Sequence, residues 1–296
     1  MDFVRLEIPG DRHSPRVRFI ASPLYSLYQW VAGLSEPTAL DEPRVVDAMR
    51  AMQAARFPRG RHGAWDDWER AIASAPTVDT AVHRLADQMM KSAAGVGRAL
   101  ELASPHFLST VWPAGQGAFD EAVTTIERHF KSSAAAMVRA QADTLRLQFP
   151  DAVDVHLVIA CYDRAGAYSH PATIDVVHIR STDLCESVLH ELTHVADVET
   201  AQHRMRSMKD DLRDALAPAG VRSEQAWQAW HAIIFAASGH QVRQFIHADH
   251  TDYAQRRGIY GRLGLGSLGE LWSRYRAGAM TERSLFDALI TELADA

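Results

Sequence analysis

The sequence predicts an α+β protein, predominantly helical, with a small sheet packed on one motif-bearing helix and a helical lobe over the N-terminal half. Three observations carry this reading. Runs with helical spacing of apolar residues, punctuated by proline and glycine, fill most of the first 150 positions. Two short β-branched runs then follow, VDVHLVIACY from Val153 and TIDVVHI from Thr173. Directly after them begins a long segment, STDLCESVLHELTHVADVETAQ, whose apolar positions return to helical period.

Taken in order, FVRLEI at 3–8 alternates apolar and polar residues and reads as a strand. Helical patterns follow over 24–33, 43–56, 65–74, 78–103 and 118–149. Breaks are expected at Glu36-Pro37, Pro58-Arg59-Gly60, Pro76, Pro105 and Pro113-Ala114-Gly115. This half, residues 1–150, holds no dense group of ligand-type side chains. Residues 151–296 form the second region. There the two strands are joined by a glycine- and proline-containing loop, DRAGAYSHPA. A helix is expected from Leu184 to at least Ala201, with Asp183 as N-cap and Glu186 three residues on, as in a capping box. A basic amphipathic stretch (203–217) and a Pro218-Ala219-Gly220 break precede a second strong helix over 223–245, and shorter helices finish the chain.

Composition sets bounds on function. The 296 residues carry a net charge of -6, which disfavours a nucleic-acid-binding surface. The longest strongly apolar stretch, Ala232 to Ala237, is too short to span a bilayer. No basic n-region followed by an apolar run opens the chain, and the two cysteines, Cys161 and Cys185, are expected to stay thiols in the cytoplasm. Histidine is the outlier, at 15 residues.

His190-Glu191-Leu192-Thr193-His194 is an H-E-x-x-H pattern inside the first of these strong helices. Four residues are about one helical turn, so both imidazoles project from one face and can converge on one ion. Zinc accepts such nitrogens and, in catalytic sites, leaves a position for water. Glu191 lies roughly 100° round the helix from His190, where a carboxylate can reach that water as general base. The bland reading is a pair of partly buried, hydrogen-bonded histidines.

On these five residues the region from about Val153 to Phe245 resembles the zincin superfamily of metallopeptidases, nearest its gluzincin branch. The resemblance implies one Zn2+ held by His190 and His194, with Glu191 as base, acting on a peptide or related amide. It also implies that the strand around 173–179 could bind extended substrate by backbone pairing. The metzincin pattern is disfavoured, because Asp197 and Thr200 stand where a glycine and a further ligand would be. Asp197 shares the face of the two histidines and is read either as a partner for an imidazole N–H or as a surface acid.

The third ligand is open between His231 and His240 on the second strong helix, with His231 preferred because it lies on the apolar face with Trp227, Ile234, Phe235 and Ser238. Glu224, at the start of that helix, suits a capping role better. An oxyanion stabiliser is expected as well. Tyr253, Tyr260, His247 and His250 are within the same region, and Tyr260, between Gly258 and Gly261, is the choice among them. The other functional class is a non-catalytic protein that keeps the scaffold for binding or regulation. G-x-G-x-x-G at 264–269 follows no strand and reads as a turn, no G-x-S-x-G elbow surrounds any serine, the basic run 204–213 is a solvated helix face, and Trp227 and Trp230, at helical spacing, are expected in the core.

Overall fold

A computed structural model of the protein describes residues 4–11, 14–34, 42–55, 71–88, 90–159, 167–170, 173–176 and 183–294. Phe3, the breaks at 36–37 and 58–60, the start of the helix expected over 65–74, Cys161, most of the loop joining the two expected strands, and the tails of those strands lie outside these residues. The described chain is mainly helical with a small sheet, an α+β protein. It divides into two compact units that do not coincide with a cut at residue 150: residues 1–9, 16–127 and 152–184 form the first, and 10–15, 128–151 and 185–296 the second. No described helix is long and apolar enough to cross a membrane.

The first unit holds the sheet. Strands β1 (Val4–Ile8), β2 (Arg16–Ile20), β3 (Ala152–Leu157), β4 (Ala167–His170) and β5 (Thr173–Val176) lie in the order β1-β2-β3-β5-β4. β2 pairs antiparallel with β1 and parallel with β3. Its sequence RVRFI alternates, so Val17 and Phe19 are buried while Arg18 pairs across the ladder with Asp154, two contacts of 2.7 Å. This strand falls where only helices were expected. β5 corrects another expectation. It is hydrogen-bonded to β3 on one side and β4 on the other, so its backbone groups are already paired and the sheet edges are β1 and β4.

Helices α1 (Pro23–Gly33), α2 (Pro43–Ala54), α3 (Val78–Gln88), α4 (Met90–His106) and α5 (Trp112–Thr125) complete this unit. Proline opens α1 and α2 in the first turn, where its missing N–H costs nothing. Pro105 and Pro113 do not break the chain as expected. Pro105 lies inside α4, directly ahead of a π-helical turn over Phe107–Val111, and Pro113 occupies the first turn of α5. Gly115, read as a breaker, is a spacer: a Cβ there would sit 2.5 Å from Ile159 Cδ1. Leu24, Tyr28, Ala48, Met52, Leu100 and Phe107 lie in the buried core of this unit.

The second unit contains α6 (Ala134–Leu145), α7 (Leu184–Gln202), α8 (Met208–Leu216), α9 (Ser223–Phe245), α10 (Tyr253–Arg256), α11 (Ile259–Arg262), α12 (Leu268–Arg276) and α13 (Glu282–Ala294). The helix expected over 118–149 is therefore interrupted, by a π turn at Ile126–Phe130 and a turn at 131–133. α9 is the spine, buried along Ala229, Ile233, Ala236 and Ala237 and packed on α6, α8 and α12. α6 ends at Arg146 in the left-handed conformation (φ 55°), and its guanidinium meets Asp211 of α8 at 2.5 Å and Glu282 of α13 at 2.7 Å. The G-x-G-x-x-G stretch is the turn into α12, with Gly264 at φ 71°.

Candidate metal centre

α7 is buried on nearly every side through its first three turns, from Leu184 to Val195. Such a helix carries polar groups inward only where something pairs with them. Here they are Glu186, His190, Glu191, Thr193 and His194. Thr193 bonds back to Leu189 C=O at 2.8 Å and accepts from the Gln141 amide of α6 at 2.6 Å; the same amide nitrogen lies 3.0 Å from Ser238 of α9. All three side chains are fully buried. This polar contact fixes the rotation of α7 against α9.

With that rotation set, three imidazoles meet. His190 Nε2 lies 3.0 Å from His231 Nε2 and 3.1 Å from His194 Nε2. Glu191 Oε1 is 3.9 Å from His190 Nε2. His190 is 3% exposed and Glu191 6%. Two contacts converge on one ring nitrogen, and a proton serves this badly. If His190 Nε2 carries hydrogen it cannot accept; if bare, its single lone pair faces two donors. A cation that takes all three lone pairs resolves the conflict. Zinc–nitrogen bonds of about 2.0–2.1 Å at tetrahedral angles put ligand nitrogens roughly 3.3 Å apart, close to the observed separations. The donor set therefore fits a zinc ion.

The charge states suit it too. Burial holds His190 well below its ordinary value of 6.5, and neighbouring His194 and His231 lower it further. Burial, then His231 and Lys209, brings His194 to about 3, and burial alone brings His231 to about 4. Neutral rings keep their lone pairs for a metal. Nδ1 of His190 is buried without a hydrogen-bond partner among the described residues.

The other residues singled out by sequence lie elsewhere. His240 is not part of the three-histidine group; it is half-buried beside Arg276 and Arg243, which add to the effect of burial in lowering it to about 4. Asp197 pairs with Lys209 Nζ at 2.5 Å. Glu224 is exposed in the first turn of α9. Tyr260 is 4% exposed in the core of this unit; burial and then the carboxylates of Asp252 and Glu186 raise its pKa, so its hydroxyl stays protonated. Cys185 is a buried thiol that burial pushes up to about 12.

Two features escaped the sequence reading. Glu186, expected as a capping partner, turns inward: it accepts from the Tyr253 N–H at 2.9 Å and lies 2.6 Å from His250 Nε2. Burial raises its pKa, against the lowering effect of these bonds. Its spacing, four residues before His190 on the same helix face, was the available signal. The second is an aromatic strip along the face of His231, in which Trp227 is exposed and not a core residue as its spacing suggests. Phe235 lies against His190 (ring centroids 4.0 Å) and stacks on Tyr253 (5.8 Å), while Trp227, one turn before His231, lies 5.0 Å from it.

Compared with known proteins, the chain matches no protein-family model, and no characterised protein or solved structure is significantly similar to it.

Proposed function

We propose that the protein is a zinc-dependent hydrolase of the metallopeptidase type, with His190, His194 and His231 as ligands and Glu191 as general base. The observation that carries this reading is the meeting of three imidazole nitrogens at 3.0 and 3.1 Å with Glu191 beside them. Its likeness to the zincin superfamily rests on the five residues of the HELTH motif; the third histidine stands where the gluzincin branch would have a glutamate. When bound, zinc would lower the pKa of a water toward neutrality and polarise a carbonyl. Glu191 takes a proton from the attacking water as its oxygen bonds to the amide carbon. The same carboxyl then delivers that proton to the leaving nitrogen as the C–N bond breaks. The burial of Glu191 keeps bulk water from competing for this proton.

Elemental analysis and a peptide-cleavage assay test the reading together. About one zinc per chain is expected, and Glu191→Gln should keep the metal while losing roughly 10²–10⁴-fold in turnover. A zinc-loaded Glu191→Gln protein as active as the native one would refute the mechanism. A stoichiometric metal with no cleavage of any peptide would instead assign the same centre to a binding or regulatory role.

A further inference from the structure

Beside the three histidines, the second unit carries one large apolar side chain that its own core does not use. Trp227 is 52% exposed, whereas the other tryptophan of the same helix, Trp230, is 1% exposed and belongs to the core. A half-exposed indole gains little from its own fold. Yet its ring is held against a ligand, 5.0 Å from the His231 ring. Helical spacing makes this a continuous strip: Trp227, His231 and Phe235 follow one another at four-residue intervals along α9. Phe235 extends it past His190 to Tyr253, and the Arg257 guanidinium caps the Tyr253 ring at 5.5 Å. The metal ligands thus sit within an aromatic row, with its open end at Trp227.

Each four-residue step along the helix is about 6 Å. The Trp227 ring lies only 5.0 Å from the His231 ring, a distance that an aromatic or large aliphatic side chain beside an amide at the histidines can span. We propose that Trp227 is a specificity-determining residue, and that the site takes substrates with an aromatic or large aliphatic side chain next to the bond at the histidines. This rests on the metal-centre reading above. The ring supplies a flat apolar face for that side chain, and stacking in such pairs adds to the simple burial of area.

The test uses direct binding, so it does not depend on turnover. Affinities of phenylalanine hydroxamate and alanine hydroxamate are measured by calorimetry on the zinc-loaded full chain, its Trp227→Ala variant and its Trp227→Phe variant, with zinc content determined for each. The native protein should bind the phenylalanine compound about tenfold more tightly than the alanine one. Trp227→Ala should reduce this preference to about twofold with zinc unchanged, and Trp227→Phe should restore most of it. Zinc-loaded protein that shows no preference, or a preference that Trp227→Ala leaves intact, overturns the assignment of Trp227 and leaves the metal centre standing. Protein that binds no zinc overturns both.

Discussion

The side-chain amide of Gln141 donates to the hydroxyl of Thr193 across 2.6 Å, tying α6 to the middle of the HELTH motif. Neither residue touches the converging nitrogens, yet the contact holds the helix that presents two of them.

Replacing Gln141 with Leu should therefore leave two buried hydroxyls, Thr193 and Ser238, without this donor. The expected loss is about 1–3 kcal/mol, seen as a lower urea midpoint with an unchanged m-value. Gln141→Glu should be worse, because it places a carboxylate in a fully buried position.

Metal content should separate the histidines. His190→Ala, His194→Ala and His231→Ala each remove one converging nitrogen and should lose stoichiometric zinc. His240→Ala should keep it. Elemental analysis after dialysis decides, and zinc loss in His240→Ala alone would move the third ligand there.

Acid should destabilise the metal-free protein. His194, His231 and His240 are depressed from 6.5 to about 3, 4 and 4. Below pH 6.5 the unfolded chain takes up protons that the folded chain refuses, so stability falls as pH drops from about 6.5 toward 4. Glu186, raised by burial, acts in the opposite sense, since its folded form holds a proton longer. Urea midpoints at pH 7.5 and 5 check the balance. The drop should be smaller in His231→Ala, and equal drops in both proteins would remove His231 from the account.

Gly239→Ala should be costly although the position is mid-helix, where alanine is normally preferred. An added methyl would collide with Asp252, side chain and Cα both, and backbone cannot swing aside as a flexible side chain does. Asp252 caps α10 through the Gln255 N–H, next to the Tyr253 N–H that Glu186 accepts. We expect a loss of about 1–3 kcal/mol by urea titration.

How much of this could be read in advance depends on the range of the interaction. The HELTH helix, its register and the pairing of its histidines follow from four-residue spacing, a local property. The preference for His231 over His240 came from the apolar face of α9, again local, and His231 is the one that meets His190. β2 is hard to read in advance although RVRFI alternates, because five residues bounded by a proline-led helix carry a weak signal until β3, more than 130 positions on, supplies the ladder. Gln141 was visible in principle: it occupies the buried stripe of α6 with Ala134, Met137, Val138 and Leu145. What it bonds to depends on two distant helices, and no local pattern names them. The glycines flanking Tyr260 mark local backbone, not chemistry: Gly258, at φ 63°, opens α11, Gly261 lies within it, and the tyrosine between them is buried in the core.

Arg146 joins the end of α6 to Asp211 and to Glu282, the first residue of α13. Removing the last helix would thus do more than strip Leu285, Phe286 and Leu289 from the interior. It would take a carboxylate partner from a guanidinium at the tip of the helix that carries Gln141. A shortened chain ending before residue 282 should lose its grip on the histidine centre, even though His190, His194 and His231 all lie upstream of the cut.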